Sequence, residues 1–185
     1  MVGLGNPGER YRRTRHNAGF MAVDVLAARA RASGRVEGDA WVAEAVLGGA
    51  PALLVKPLAF MNASGSPVAR LLASREASPS DLVVLVDDVA LDLGTIRVRE
   101  RGSHGGHNGL RSLVETLGTE EFARVRIGVR RGDLPEDLAE YVLADFLPDE
   151  VLAVQEAVGL AAEAVRCLAE EGAGAAMNRF NARRA

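Results

Sequence analysis

Leu82-Val83-Val84-Leu85-Val86 is an unbroken apolar run, bounded by Ser80-Asp81 before it and Asp87-Asp88 after it. A run of that kind, with no polar alternation, predicts a strand buried in the middle of a sheet. Helical and strand patterns are interspersed around it. A helix is predicted from Asn17 to Ala32, with Phe20, Val23, Leu26 and Ala27 on one face. Ala40–Leu47 and Ala52–Val55 flank Gly48-Gly49-Ala50-Pro51 and form a hairpin pattern. Ser66-Pro67 predicts an N-cap and first helical residue, opening a helix to Ser74. Thr95–Arg101 alternates apolar and basic as a half-exposed strand does. A helix to Leu117, a strand over Ala123–Val129, a long helix over Asp149–Glu171 and a shorter one after Gly174 follow. The interspersion indicates an α/β sandwich built on a mixed sheet.

At 185 residues, with 48% hydrophobic and 25% charged side chains, the chain matches one globular domain spanning 1–185 and not a disordered one. Its single cysteine, Cys167, excludes an intramolecular disulfide and a Cys-rich zinc site. No apolar run reaches the roughly 18 residues of a membrane span. The chain opens on Met1-Val2-Gly3-Leu4-Gly5 with no basic leader, which predicts a cytoplasmic location. The net charge of −3 argues mildly against a general nucleic-acid coat. Its distribution is uneven: eight arginines and four glutamates lie between Thr95 and Arg131, and Lys56 is the only lysine. Arginine's planar fork suits phosphate, although a bias of composition gives the same excess.

Four polar islands interrupt the pattern: Gly5–Gly8 with Arg15–Gly19, Phe60–Gly65, Asp87-Asp88, and Gly102–Gly109. Sites on α/β sheets gather at the carboxyl ends of strands, so these islands are expected to converge. Gly3, Gly5 and Gly8 form a literal G-x-G-x-x-G, but Pro7 removes an amide and the helical pattern starts about ten residues too late for a dinucleotide site. His16, one of three histidines, stands where loop becomes helix. It is either a histidine satisfied by backbone or a general base, since neutral imidazole accepts a proton near pH 7. A base of this kind needs a carboxylate on its other ring nitrogen, and Asp87 is the candidate; Asp88 is read as a turn residue.

No G-x-S-x-G is present, and Cys167 lies in a helical stretch. His104 and His107, in a glycine loop, lack the spacing of a helical metal pair, though a three-histidine zinc site with His16 stays open. Water activated by His16 is the remaining nucleophile, with the amides of Asn62 and Asn108 available to steady an oxyanion.

Gly3-Leu-Gly-Asn-Pro-Gly, Tyr11, Thr14-Arg-His-Asn-Ala-Gly-Phe, Lys56-Pro-Leu-Ala-Phe-Met-Asn-Ala-Ser-Gly, Asp87-Asp88, Gly105-Gly-His-Asn-Gly-Leu and Arg126-Ile-Gly-Val occur in order, and the chain closely resembles bacterial peptidyl-tRNA hydrolase from Val2 to Met177-Asn-Arg-Phe. The resemblance implies cleavage of the ester joining a peptide to the 3′ ribose of tRNA, with no cofactor and no metal. It implies a single α/β domain, a twisted mixed sheet with helices on both sides, and a monomer. His16 would be the base and Asp87 its stabiliser. Asn6 would discriminate blocked from free aminoacyl groups. Tyr11, Phe60, Asn62 and Asn108 would contact the peptidyl end of the tRNA, with Met61 and His107 lining the same crevice. Arg99 and Arg126 would clamp the 5′ phosphate.

The sequence departs from the family pattern at Val86 and Ala90, where members often carry a histidine and an acidic residue, and in having arginine at a clamp position where some have lysine. These changes bear on affinity and leave the proposed base untouched. The N-terminus looks a few residues short. Gly132–Pro135 and the stretch to Phe146 are expected to form a lid. Two rival readings stand beside the esterase: an RNA-binding module that uses the arginine window without turnover, and a nucleotide-dependent enzyme using the glycine motif.

Overall fold

The run Leu82–Val86 lies in the middle of a seven-stranded sheet. The structure, a computed structural model, describes residues 1–181, so the last four residues of the expected 1–185 domain lie outside the described residues. The strands are β1 (Val2–Gly3), β2 (Gly34–Glu37), β3 (Ala40–Leu47), β4 (Ala50–Pro57), β5 (Val83–Asp92), β6 (Ile96–Arg99) and β7 (Ala123–Arg130). Their order is β2-β3-β4-β1-β5-β7-β6. β4, β1, β5 and β7 are parallel, whereas β3 and β6 run against their neighbours. The helices are α1 (Ala18–Ala30), α2 (Gly65–Ser74), α3 (Asn108–Leu117), α4 (Leu138–Leu143) and α5 (Val151–Phe180).

Helices cover both faces, as the buried strand requires. One core joins α1 and α5 to Leu54, Leu85, Val125 and Ile127. The other joins Val68 of α2 and Leu110 and Leu113 of α3 to Val2, Val84 and Val86. From β1 the chain builds one half of the sheet through β2, β3 and β4, then crosses to β5 and the other half. The connections therefore diverge at the carboxyl ends of β1 and β5, the place where such sheets hold their ligands.

Several elements differ from the sequence expectation. β5 does not stop at Val86; it continues through Asp87 and Asp88 to Asp92, with a register shift between Asp88 and Asp92. The polar pair is thus inside the strand, because its side chains have partners there. The hairpin turn is only Gly48-Gly49, both at positive φ, so Ala50 and Pro51 belong to β4. α2 begins at Gly65, with Ser64 and not Ser66 as its N-cap residue, and Pro67 sits in its first turn, where a missing N–H breaks no helical bond. β2 and α4 were not expected as elements: β2 is an exposed edge with one apolar residue, and α4 is a six-residue helix without a buried residue. α5 is interrupted at Gly172, with φ of 84°, and the short segment after it returns to the sheet. There Asn181 pairs with the backbone of Val98 on β6, accepting from its N–H at 2.7 Å and donating to its carbonyl at 2.9 Å.

The glycines of the first island work as spacers. A Cβ on Gly3 would lie 2.3 Å from the carbonyl oxygen of Gly19, and one on Gly5 would lie 2.6 Å from the Phe20 ring. A Cβ on Gly19 would lie 2.4 Å from the Leu85 carbonyl and 2.6 Å from the Leu4 backbone. The first turn of α1 therefore rests directly on the backbones of β1 and β5, which brings His16 beside Asp87. Gly19→Ala is expected to cost about 1–3 kcal/mol, since rigid backbone has to give way. Denaturant unfolding of the variant against the parent measures it.

Candidate active site

A crevice of about 460 Å³ opens beyond the carboxyl ends of β1 and β4 and against the middle of β5, at Val86, Asp87, Asp88 and Val89. Its floor is Asp87, buried on β5. His16 reaches it from the 3₁₀ turn Arg15–Asn17, which leads directly into α1. The His16 Nδ1 lies 2.9 and 3.0 Å from the two carboxylate oxygens. Beside it, with ring centroids 4.8 Å apart, His107 places Nε2 at 3.0 Å from Asp87 Oδ1.

The hydrogen-bond network assigns the protons. His107 caps α3: its Nδ1 accepts from the amides of Gly109 at 3.1 Å and Leu110 at 3.2 Å. Nδ1 therefore carries no proton, and Nε2–H donates to Asp87. His16 also donates, through Nδ1–H, because the carboxylate is an acceptor only. This leaves His16 Nε2 unprotonated, and among the described residues it has no hydrogen-bond partner. The two imidazoles and the carboxylate present atoms within 4.8 Å of one another, a spacing that could suit a metal ion. Their facing atoms are, however, engaged with one another at hydrogen-bond length, and His107 Nδ1 is committed to the helix cap.

Burial works against a charged His16, but the Asp87 carboxylate and its hydrogen bond outweigh it and raise the pKa above 6.5. Burial by itself would raise the pKa of Asp87. The two facing imidazoles reverse that and hold the carboxyl well below the usual range.

Asn6 is positioned from three directions. Its backbone N–H donates to Asn17 Oδ1 at 2.8 Å, and its carbonyl accepts from Asn17 Nδ2 at 3.0 Å. Its side-chain Oδ1 accepts the Met61 N–H at 2.8 Å. That last bond fixes the amide orientation and leaves Nδ2 as the group offered to the crevice.

The other candidates divide. Phe60, Met61, Asn62, His107, Asn108 and Arg126 line the crevice with Asn6, His16 and Asp87. Tyr11 does not line it and stands edge-on to Phe60, with ring centroids 6.4 Å apart. Arg99 is exposed on β6, away from the crevice lining. Arg126 is already engaged: its Nε lies 2.6 Å from Asp88 Oδ2. Asp88 Oδ1 accepts from the Ala90 amide at 2.9 Å, so Asp88 shapes the strand irregularity and also holds an arginine.

Two contributors were not foreseen, and a third, α4, lies within the stretch expected as a lid. Asn17 locks Asn6 to the turn that carries His16. Arg124, buried on β7, donates to the carbonyls of Gly102, Ser103, Glu120 and Phe122, and so anchors the root of the glycine loop. α4 contributes Leu138, Ala139, Val142 and Leu143 as an apolar roof. Asn17 stands in a visible polar island, but its role depends on a partner eleven positions away. Arg124 is indistinguishable in sequence from its exposed neighbours.

A family model described as peptidyl-tRNA hydrolase matches residues 1–185. The peptidyl-tRNA hydrolase of Chloroflexus aggregans is 46% identical, over 98% of this chain and 97% of its own. That of Alkaliphilus oremlandii is 42% identical, over 98% of each chain. Among solved structures, peptidyl-tRNA hydrolase from Acinetobacter baumannii has a TM-score of 0.91 at 32% identity, covering 98% of this chain and 93% of that one. A complex of peptidyl-tRNA hydrolase with N-propanol gives a TM-score of 0.92 at 32% identity, covering 100% and 95%.

The His16 resonance is expected to titrate above 6.5 by NMR, and below 6.5 in Asp87→Asn, where burial is left unopposed. The sign for stability follows. The contribution of His16 is fully present below 6.5 and disappears as pH rises through its native pKa. That of Asp87 is present above 3.8 and is lost as pH falls through its depressed native pKa. Asn17→Ala, which strands the buried backbone polar groups of Asn6, is expected to cost about 1–3 kcal/mol in denaturant unfolding.

Proposed function

The chain belongs to the peptidyl-tRNA hydrolase family and is an enzyme of that activity, and from this premise we propose that His16, oriented by Asp87, activates a water molecule against the ester between peptide and 3′ ribose. The observation that carries the proposal is the proton arrangement. Asp87 takes the Nδ1–H of His16, which leaves Nε2 open as an acceptor at the crevice. Water gives a proton to Nε2 as its oxygen bonds to the ester carbonyl carbon. The tetrahedral intermediate carries an oxyanion, and the amides of Asn62 and Asn108 are the donors nearest in role. The intermediate then breaks its bond to the ribose oxygen, which recovers the proton from the imidazolium. The products are a free tRNA 3′ end and a peptide carboxylic acid, which ionises.

Asn6 fits the discrimination between blocked and free aminoacyl groups. Its Oδ1 is occupied, so it offers the crevice a donor. A donor favours the amide carbonyl of a peptidyl group and has nothing to give a free ammonium, which has no acceptor. Phe60, with Tyr11 edge-on behind it, provides a ring at the rim for the unpaired end of the tRNA. Met61 and His107 shape the crevice wall. Arg99 and Arg126 are read as phosphate contacts on the β6–β7 face, with Arg126 exchanging Asp88 for phosphate when tRNA binds.

We extend the reading to one domain over 1–185, acting in the cytoplasm as a monomer, with peptidyl-tRNA as its partner and with no metal or cofactor called on. Among the described residues, no helix is long and apolar enough to cross a membrane.

A discharge assay on N-blocked and unblocked aminoacyl-tRNA tests the scheme. His16→Ala is expected to lower kcat about 10²–10⁴-fold while the fold survives, the range for loss of a general base. Turnover at the parent rate would remove His16 from the mechanism. Asp87→Asn is expected to lower kcat less and to move the acid limb of the pH–rate profile downward. KM is expected to rise with salt, and Arg99→Gln or Arg126→Gln each to reduce that salt slope by about 0.7–0.9, one phosphate contact.

A further inference from the structure

The mechanism leaves one buried ion pair unused. Arg15, the residue before His16, and Glu150, at the start of α5, meet at 2.6 Å, with side chains only 5% and 1% exposed. The pair binds more than itself. Arg15 Nη1 donates to the carbonyl of Asp145 at 2.6 Å, and Glu150 Oε2 accepts the amide of Leu147 at 2.6 Å. The Arg15 guanidinium lies over the rings of Tyr141, 4.6 Å from its centroid, and Phe146, 5.2 Å away. The backbones are joined as well: Arg15 N–H donates to Ala144 at 3.1 Å, and Phe146 N–H to Arg13 at 3.1 Å.

All of these contacts fall on the segment that carries and follows α4. That helix has no buried residue, so packing alone does not hold it. Its side chains nonetheless form the roof of the crevice. Nor is the pair arranged for stability. Arg15 Nε and Glu150 Oε1 are buried and lack hydrogen-bond partners among the described residues. A buried pair with such orphans is replaced by apolar side chains at little or no cost in stability. What apolar side chains do not reproduce is the directed grip on Asp145 and Leu147.

We propose that Arg15 and Glu150 are positioning residues that fix the α4 roof over the crevice, so that the turn carrying the base and the wall that receives the acyl group move as one body. The proposal rests on the peptidyl-tRNA reading for its substrate. The roof contacts bound substrate and transition state alike, so its displacement weakens binding while the His16–Asp87 pair stays intact.

The test uses the full chain as wild type, as Arg15→Met/Glu150→Leu, and as Arg15→Lys. Each is examined by thermal melting, by hydrogen exchange of amides 138–147, and by kcat and KM on peptidyl-tRNA well below the melting temperature. The double variant leaves no unpaired charge. It is expected to stay folded, to exchange its roof amides faster, and to raise KM about tenfold or more with kcat within about twofold. Arg15→Lys, which keeps the charge but loses the fork, is expected to fall between the two.

A folded double variant with unchanged KM overturns the proposal, because the pair is then only structural. A fall in kcat at constant KM, with a moved acid limb, also overturns it, because the pair then acts on His16. If the double variant does not fold, Arg15→Lys decides: a raised KM supports the proposal and a parental KM overturns it. Absence of turnover in the wild type would instead defeat the substrate reading, and the exchange comparison would judge the roof by itself.

Discussion

The Asp87 carboxylate is buried, charged and shared, and the surrounding site follows from those three conditions. A charge taken out of water needs partners, and here two neighbouring imidazoles supply them from different elements. Each partner brings its own segment: the turn into α1 comes with His16, and the N-terminus of α3 with His107. Because His107 is held by the helix cap, its donor is fixed, and the remaining carboxylate capacity falls to His16. The free nitrogen of His16 follows from the carboxylate taking its Nδ1–H, while the start of α3, some ninety residues away, supplies the second donor. The mechanism proposed for His16 calls for an acceptor at that point, and the packing of two helix starts onto one strand provides it.

Close backbone contact is the second condition. A carboxylate on β5 and an imidazole before α1 meet only if α1 lies against the sheet without intervening side chains. Gly3 and Gly19 allow this, with a carbonyl where a Cβ would otherwise be. The same glycine motif that resembles a dinucleotide fingerprint is used here to bring a helix down onto a strand. The amides that a nucleotide would need are absent in Pro7 and engaged elsewhere in Asn6.

Much of this was legible. The buried strand, the long helix with its break, the hairpin and the α/β class follow from apolar periodicity, which reports burial directly. The polar islands were visible as departures from that periodicity, and His16 and Asp87 stood out because their residue types suit the chemistry, whereas Asn6 was singled out only by the family resemblance. The charge pattern was less informative. The arginine window was a surplus of one residue type, yet its members do different work: Arg124 holds four carbonyls in the interior, Arg126 faces Asp88, and Arg99 is exposed. Guanidinium groups look alike in sequence because their role depends on the burial and partners that surround them. α4 was missed as a helix because it is six residues long with none buried, and it is tied down by Tyr141, whose hydroxyl donates to the Val129 carbonyl and accepts the Arg131 amide.

The sequence by itself determined the class of fold and the chemical types available, since apolar period and residue identity are local properties of the chain. Tertiary structure alone decided which nitrogen of which histidine is free, which way the Asn6 amide turns, and which arginines remain at the surface. Each of those outcomes is set by a hydrogen-bond partner distant in the chain, and such partners exist only once the sheet has brought its loops to one edge.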